Sequence, residues 1–231
     1  MIGKTDKIIK LVEVADTWQG EGPCTGRQML IARFKYCNRH CQYCDTWIKM
    51  KTSTEGSYSI DDLNNALAKT RGLMITGGEP TYENKSANIH NLSCTLNMIE
   101  HCDYQVANIE TNGYDLAGLL TNITFPKNKV VKIMYSPKIF SEYDYTIELK
   151  NLELAMSDPM VYLKIVADRT ALTEKFIKQI ATNNTDRSKV YLMPLGVTSE
   201  EIAKNFEYCI NLADECNMNI STRMHIVHTF T

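Results

Sequence analysis

Met29–Thr46 reads M-L-I-A-R-F-K-Y-C-N-R-H-C-Q-Y-C-D-T. Its first part, Met29–Tyr36, is an apolar run that predicts a strand. Cysteines follow at once, at 37, 41 and 44, in a C-x3-C-x2-C arrangement. A loop at the end of a strand is where an α/β fold places its ligand-binding residues. Working outward, the apolar runs predict further strands at Ile8–Val14, Leu73–Thr76, Val106–Glu110, Val130–Tyr135, Val161–Val166, Val190–Pro194 and Met224–Val227. Amphipathic stretches predict helices at Ile60–Lys69, Asn88–His101, Ile147–Met156, Leu172–Ala181 and Glu200–Cys216. Asp61, Thr173 and Ser199 stand near helix starts as caps or first-turn acceptors. Alternation of strands and helices argues for an α/β fold with a largely parallel sheet. Eight full β/α units need about 250 residues. A chain of 231 residues with irregular connections fits a partial, open β/α barrel of about six units better. Lys49–Ser59 and Asn183–Ser188 read as polar connections, and no domain boundary stands out, so a single domain over 1–231 is expected.

The formal net charge is −2 and no basic run is present. Direct binding to nucleic-acid phosphates needs a basic stripe, so that function class is not favoured. No apolar run approaches the length that spans a bilayer, and the charged N-terminus does not read as a signal peptide. A cytoplasmic protein is expected. Eight cysteines without a secretion signal point to metal or redox chemistry rather than to disulfides. Cys24, Cys94, Cys102, Cys209 and Cys216 are scattered and read as small apolar core residues.

Three thiolates on one short loop can converge on one iron–sulfur cluster. A four-iron cluster has four corners, and electron-transfer sites commonly fill all of them with cysteine. Three ligands leave one iron open to a small molecule bearing an amine and a carboxylate, such as the methionine part of S-adenosylmethionine (SAM). One electron passed into the sulfonium breaks a carbon–sulfur bond and yields a radical that abstracts hydrogen from an unactivated C–H bond. Two other readings stay open. A structural zinc site needs four ligands; His40 is squeezed against Cys41, and no second Cys-x-x-Cys pair follows. The three cysteines could also be purely structural.

Thr76-Gly77-Gly78-Glu79-Pro80 follows a short apolar run. Glycines at a strand end let the backbone approach a ligand, and Glu79 offers a carboxylate for an ammonium group. A plain tight turn is the other reading. Behind C-x3-C-x2-C, the segment resembles the Gly-Gly-Glu-Pro motif of radical SAM proteins, and Tyr43 matches their aromatic position near the adenine. A narrower resemblance follows from Trp18-Gln19-Gly20-Glu21-Gly22, Gly26, Arg33, Cys44-Asp45-Thr46, Glu110-Thr111-Asn112-Gly113 and Ser136-Pro137-Lys138. In that order they resemble the 7-carboxy-7-deazaguanine synthase (QueE) family over residues 10 to 140. Tyr36 stands where the family usually has Gly, and Tyr43 where it often has Trp. The C-terminal third carries no mapped motif.

The resemblance implies a radical SAM lyase that converts 6-carboxy-5,6,7,8-tetrahydropterin to 7-carboxy-7-deazaguanine with release of ammonia. It implies a [4Fe–4S] cluster on Cys37, Cys41 and Cys44, SAM, and Mg2+ at the Thr46 hydroxyl. It places Tyr43, Asp45, Gly78, Glu79, Ser136, Pro137 and Lys138 at SAM, and Trp18, Gln19, Gly20, Arg33 and Thr76 at the substrate. No side chain beyond the cluster and SAM is expected to be catalytic. A flavodoxin or ferredoxin as electron donor and a homodimer are likewise implied. On the residues alone, Arg33 offers a planar fork for a carboxylate, or it is a surface or salt-bridged arginine. Glu21 is an acceptor for the pterin's N–H donors, or it caps a turn. The Thr46 oxygen suits a hard ion, or stabilises a turn. His225 and His228 either touch a substrate carboxylate or are satisfied structural histidines, and His90 and His101 read as helix residues. Two further functions remain in view, a radical SAM activase that makes a glycyl radical on another protein and a non-catalytic regulatory copy of the fold.

Overall fold

The computed structural model describes residues 8–124, 127–183 and 185–227, so His228 lies outside the described residues. They fall into two compact units. The first comprises the described residues of 8–18, 27–40 and 44–133, the second those of 19–26, 41–43 and 134–227.

The first unit opens with β1 (Ile9–Leu11) and β2 (Glu13–Trp18). The one long strand expected at its start is therefore two. β1 pairs antiparallel with Gly56–Tyr58, whereas β2 pairs antiparallel with β3 (Gln28–Phe34). Val12, between them, donates its N–H to the Arg33 carbonyl at 2.8 Å. The polar stretch Lys49–Ser59, expected to be a plain connection, holds most of α1 (Trp47–Thr52) and all of β4 (Gly56–Tyr58), the partner of β1. There follow α2 (Ile60–Leu67), β5 (Gly72–Gly77), β6 (Glu83–Asn84), β7 (Ile89–His90), α3 (Asn91–His101), β8 (Val106–Thr111), α4 (Leu116–Asn122) and β9 (Val130–Tyr135). Within this unit the order is β9-β8-β5-β3-β2. The pairs β3–β5 and β5–β8 are parallel. Phe34, Leu73, Ile75, Ala107 and Ile109 are buried along these strands. Each large one contributes about 1.5–3 kcal/mol by leaving water.

α2 starts at the expected Ile60 and α3 at Asn91, three residues later than expected, and the cap of α2 lies just before the residue the sequence marked. Ser59, not Asp61, caps α2; its Oγ accepts the Asp62 N–H at 3.1 Å while Asp62 Oδ2 accepts the Ser59 N–H at 2.8 Å. Asp61 lies in the first turn, where a carboxylate faces the positive end of the helix dipole. The short α4 went unread because seven residues give little periodicity; Asp115 caps it through the Gly118 N–H at 2.8 Å.

The second unit holds the end of β9, then α5 (Glu142–Ser157), β10 (Val161–Ala167), α6 (Ala171–Thr182), β11 (Val190–Pro194), α7 (Ser199–Cys216), β12 (Asn219–Ile220) and α8 (Met224–Val227). Within it β10, β11 and β12 are parallel neighbours. The caps are Thr170 and Thr198; Thr173 and Ser199 sit within the first turns. Met224–Val227 is a helix and not the expected strand. The strand pairing is made two residues earlier, by Asn219 and Ile220 on Tyr191 and Leu192. The chain then leaves the sheet, with the Met224 N–H on the Gly20 carbonyl at 3.2 Å. Cys24, Cys102, Cys209 and Cys216 are buried as expected for apolar residues, while Cys94 is half-buried. Mostly parallel strands with interleaved helices make this an α/β fold. Among the described residues no helix is long and apolar enough to cross a membrane.

Candidate active site

In the first unit the C-terminal ends of β3, β5 and β8 are tied together. Gly78 donates its N–H to the Phe34 carbonyl at 2.8 Å and Glu79 to the Tyr36 carbonyl at 2.7 Å. The Asn91 side-chain amide donates to the carbonyls of Tyr36 (3.3 Å) and Glu79 (2.9 Å). Such close approach needs both glycines. A Cβ on Gly78 would lie 2.0 Å from the Tyr36 carbonyl oxygen. One on Gly77, whose φ is +103°, would meet Arg33 Cγ at 2.3 Å. The Gly-Gly pair thus sets the exit of the chain into the cysteine loop.

Glu79 is buried and accepts four hydrogen bonds. Oε1 takes the Thr81 N–H (2.9 Å), the Thr81 hydroxyl (2.7 Å) and the Thr111 hydroxyl (2.6 Å); Oε2 takes the Asn112 N–H at 2.6 Å. Each hydroxyl oxygen also accepts a backbone N–H, Thr111 from Gly113 and Thr81 from Asp115, both at 3.0 Å. Their protons are thereby free to point at Glu79. Four donors and no acceptor suit a carboxylate, yet burial pushes its pKa up and outweighs them. The Glu79 side chain therefore braces β5 against β8, and only Oε2 keeps room for a further donor.

At the cysteine loop, the Cys37 sulfur accepts the Arg39 N–H at 3.4 Å and the Asn112 side-chain amide at 3.6 Å. Cys44 Sγ lies 3.4 Å from Thr46 Oγ1. Cys37, Cys41 and Cys44 form no disulfide, and each is half-buried. Among the described residues no three His, Cys, Asp or Glu side chains lie close enough to hold a metal ion. The chemistry of the donor set fits an iron–sulfur cluster all the same: three cysteines on one loop, with N–H donors already aimed at the first, are what thiolate ligation uses. Asp45 beside them is exposed.

Arg33 lies opposite Glu13 on the β2–β3 pair, and its Nε bonds Glu13 Oε2 at 2.6 Å. The salt-bridged reading is thus realised at Nε, which leaves the terminal nitrogens of the fork for another anion. Thr76 is the register partner of Arg33 on β5. Trp18 ends β2 with its ring exposed.

In the second unit, Gln19 is buried; its Oε1 accepts the Glu21 N–H at 3.1 Å and its carbonyl the Gly26 N–H at 2.8 Å. Gly22, at φ +62°, donates its N–H to Ser221 Oγ at 2.9 Å. A Cβ on Gly20 would lie 2.3 Å from His225 Nδ1, so only glycine admits α8 there. Glu21 pairs with Lys164 and, at 3.1 Å, with Arg223 Nε; His225 Nε2 stands 3.8 Å away. Burial raises the Glu21 pKa, but Lys164, Arg223 and His225 together outweigh it and hold it at about 2. Lys138 donates to the Ser136 carbonyl (2.9 Å) and hydroxyl (2.7 Å), and its N–H to Glu148 Oε1 at 3.0 Å. Pro137 is buried between them in sequence. Tyr43 packs on Phe140 with ring centroids 5.8 Å apart, and burial raises its hydroxyl pKa.

Lys164 and Arg223 escaped the sequence reading. Lys164 left a trace, a lone cation in the apolar run V-Y-L-K-I-V-A. Arg223 left none, since nothing local marks an arginine whose partner stands 202 residues away.

No family model matches the chain. The cysteine loop and the Gly-Gly-Glu-Pro exit, set on a mostly parallel sheet, resemble the radical SAM class of enzymes. Among curated proteins, a 7-carboxy-7-deazaguanine synthase of Hyperthermus butylicus is 24% identical over 95% of this chain and 92% of its own length. One of Aquifex aeolicus is 28% identical over 93% and 90%, and one of Prochlorococcus marinus 29% identical over 87% and 89%. The crystal structure of QueE from Escherichia coli matches the fold with a TM-score of 0.65 at 21% identity, over 95% of both chains. Over 93–95% of its length the chain is thus similar to curated 7-carboxy-7-deazaguanine synthases.

Proposed function

We propose that the protein converts 6-carboxy-5,6,7,8-tetrahydropterin to 7-carboxy-7-deazaguanine with release of ammonia, on a partial open barrel of about six β/α units. The observation that carries this reading is the bonding of three strand ends around Cys37: Glu79 N–H on Tyr36, Asn112 N–H on Glu79, and the Asn112 amide on the Cys37 sulfur. Cys37, Cys41 and Cys44 would hold the [4Fe–4S] cluster, and Thr46 would offer its oxygen to Mg2+. When bound, the cluster and SAM supply a one-electron cleavage and a hydrogen abstraction that side chains cannot perform.

The chain's own residues bind and orient. Arg33, gripped at Nε by Glu13, presents its two terminal nitrogens to the substrate carboxylate. Glu21 stays ionised near neutral pH, so it accepts hydrogen bonds from the pterin edge and does not act as a proton source. Oε2 of Glu79 and the backbone of Gly78 would receive the SAM ammonium, and the family resemblance assigns Ser136 and Lys138 to SAM as well. A flavodoxin or ferredoxin supplies the electron, and the working form is a homodimer.

The test is anaerobic reconstitution with iron and sulfide, followed by SAM, dithionite, Mg2+ and the carboxypterin. A brown protein that forms 7-carboxy-7-deazaguanine by mass spectrometry is expected. A protein that takes up zinc in place of iron and sulfide, or a loaded one that leaves the pterin intact, overturns the reading.

A further inference from the structure

Asn112 sits just past β8 and faces the first cysteine of the loop. Its side-chain amide has two N–H groups. One reaches Asn38 Oδ1 at 2.9 Å and the other the Cys37 sulfur at 3.6 Å, a normal distance for an acceptor as large as sulfur. The residue is also anchored from behind, because its backbone N–H is the one held by Glu79 Oε2 at 2.6 Å. Glu79 is in turn fixed by Thr81 and Thr111. The amide is therefore aimed at the sulfur by a buried frame rather than by a mobile surface loop. A cluster-bound thiolate carries partial negative charge, which grows when the cluster gains an electron. A donor on that sulfur stabilises the reduced state more than the oxidised one, and so raises the reduction potential.

We infer that Asn112 is a positioning residue of the cluster, which sets its reduction potential through an amide hydrogen bond to the Cys37 sulfur. The inference rests on the proposed cluster at Cys37. It adds a ligand-tuning role that no cysteine spacing indicates. Asn112→Leu keeps the shape and removes the donor. Asn112→Asp replaces the donor with an acceptor and a negative charge. Asn38→Ala removes the amide's other partner, an Oδ1 that also stands 3.8 Å from the Cys37 sulfur, and leaves the Asn112 donor in place.

The experiment is a redox titration of the reconstituted protein and each variant, with the reduced cluster counted by electron paramagnetic resonance and iron and sulfide assayed alongside. At a fixed potential near the midpoint, Asn112→Leu is expected to lower the reduced-to-oxidised ratio by about threefold or more, and Asn112→Asp by more than that. A tenfold change in that ratio is 59 mV for a one-electron couple. Asn38→Ala is expected to lower it less than Asn112→Leu does, because the donor on the sulfur remains. An equal ratio in the Asn112→Leu and unaltered proteins overturns the inference, as does an Asn38→Ala shift as large as that of Asn112→Leu. Should Asn112→Leu fail to take up iron, the unaltered protein decides. Made with 15N-labelled asparagine, its reduced cluster is expected to show a hyperfine-coupled amide nitrogen, and an uncoupled spectrum overturns the inference. Failure of the unaltered protein to form a four-iron cluster sinks the proposed function instead, so the two failures are distinct.

Discussion

Two buried glutamates, one in each unit, solve the same problem in opposite ways. Glu79 lies among neutral donors, two threonine hydroxyls and two backbone N–H groups, and its pKa is raised because burial wins. Glu21 lies among cations, and Lys164, Arg223 and His225 pull its pKa down to about 2 despite the same burial. Neutral dipoles orient a carboxylate, but full charges are what keep one ionised in a low-dielectric interior. The contrast matches the parts each plays. Glu79 is a brace that fixes backbone around the cysteine loop. Glu21 is a permanent anion that ties the Gln-Gly-Glu-Gly loop to the C-terminal segment.

The hardest blow to this contrast is Glu21→Gln. Removing the anion leaves Lys164 and Arg223 without their shared partner, and a broken buried pair costs about 3–5 kcal/mol. Anaerobic urea unfolding should show that loss at neutral pH. The sign with pH follows from the depressed folded value. Glu21 adds stability above the ordinary carboxylate pKa, and that contribution fades as pH falls from about 4.5 toward about 2. Over this window the unaltered protein should lose stability more steeply than the variant. Equal slopes would remove the case for an ionised Glu21.

A smaller loss is expected for Glu79→Gln, about 1–3 kcal/mol. The Gln amide N–H2 would face the Asn112 N–H, one donor against another. Because the folded-state pKa of Glu79 is raised, its ionisation opposes stability as pH rises through that value. The variant should therefore flatten the pH profile in the reverse sense to Glu21→Gln. A steeper profile contradicts the assignment of burial as the leading effect.

The mildest change is Glu13→Gln. The Arg33–Glu13 pair is partly exposed, so about 1 kcal/mol of stability is at stake. Its larger effect should fall on substrate: with Nε held less firmly, KM for the carboxypterin should rise several-fold while kcat changes little. A fall in kcat at constant KM would mean that Glu13 does not act by orienting Arg33.

Local pattern was enough for several strands, since β9 and β11 match the expected spans and β5 and β8 extend theirs by a residue or so at their ends. Apolar runs bounded by polar residues survive into tertiary structure because both faces of a parallel strand are covered. Where the reading erred, a distant partner had intervened. The start of the chain split because β1 found β4 inside a stretch that looked like plain polar connection. Met224–Val227 folded as a helix because the strand pairing was already complete at Ile220 and the Met224 N–H went to Gly20.

The order of motifs from Gln19 to Lys138, the three thiols at one strand end and the glycines behind them are properties of the chain itself. Chemistry of that kind depends on residue type and short spacing, and both can be read along a string. The charge state of Glu21, the closure of the Glu79 carboxylate by four donors and the amide aimed at Cys37 belong to the folded molecule alone. Each depends on groups tens to hundreds of residues apart, and electrostatic strength depends on burial, which only packing creates.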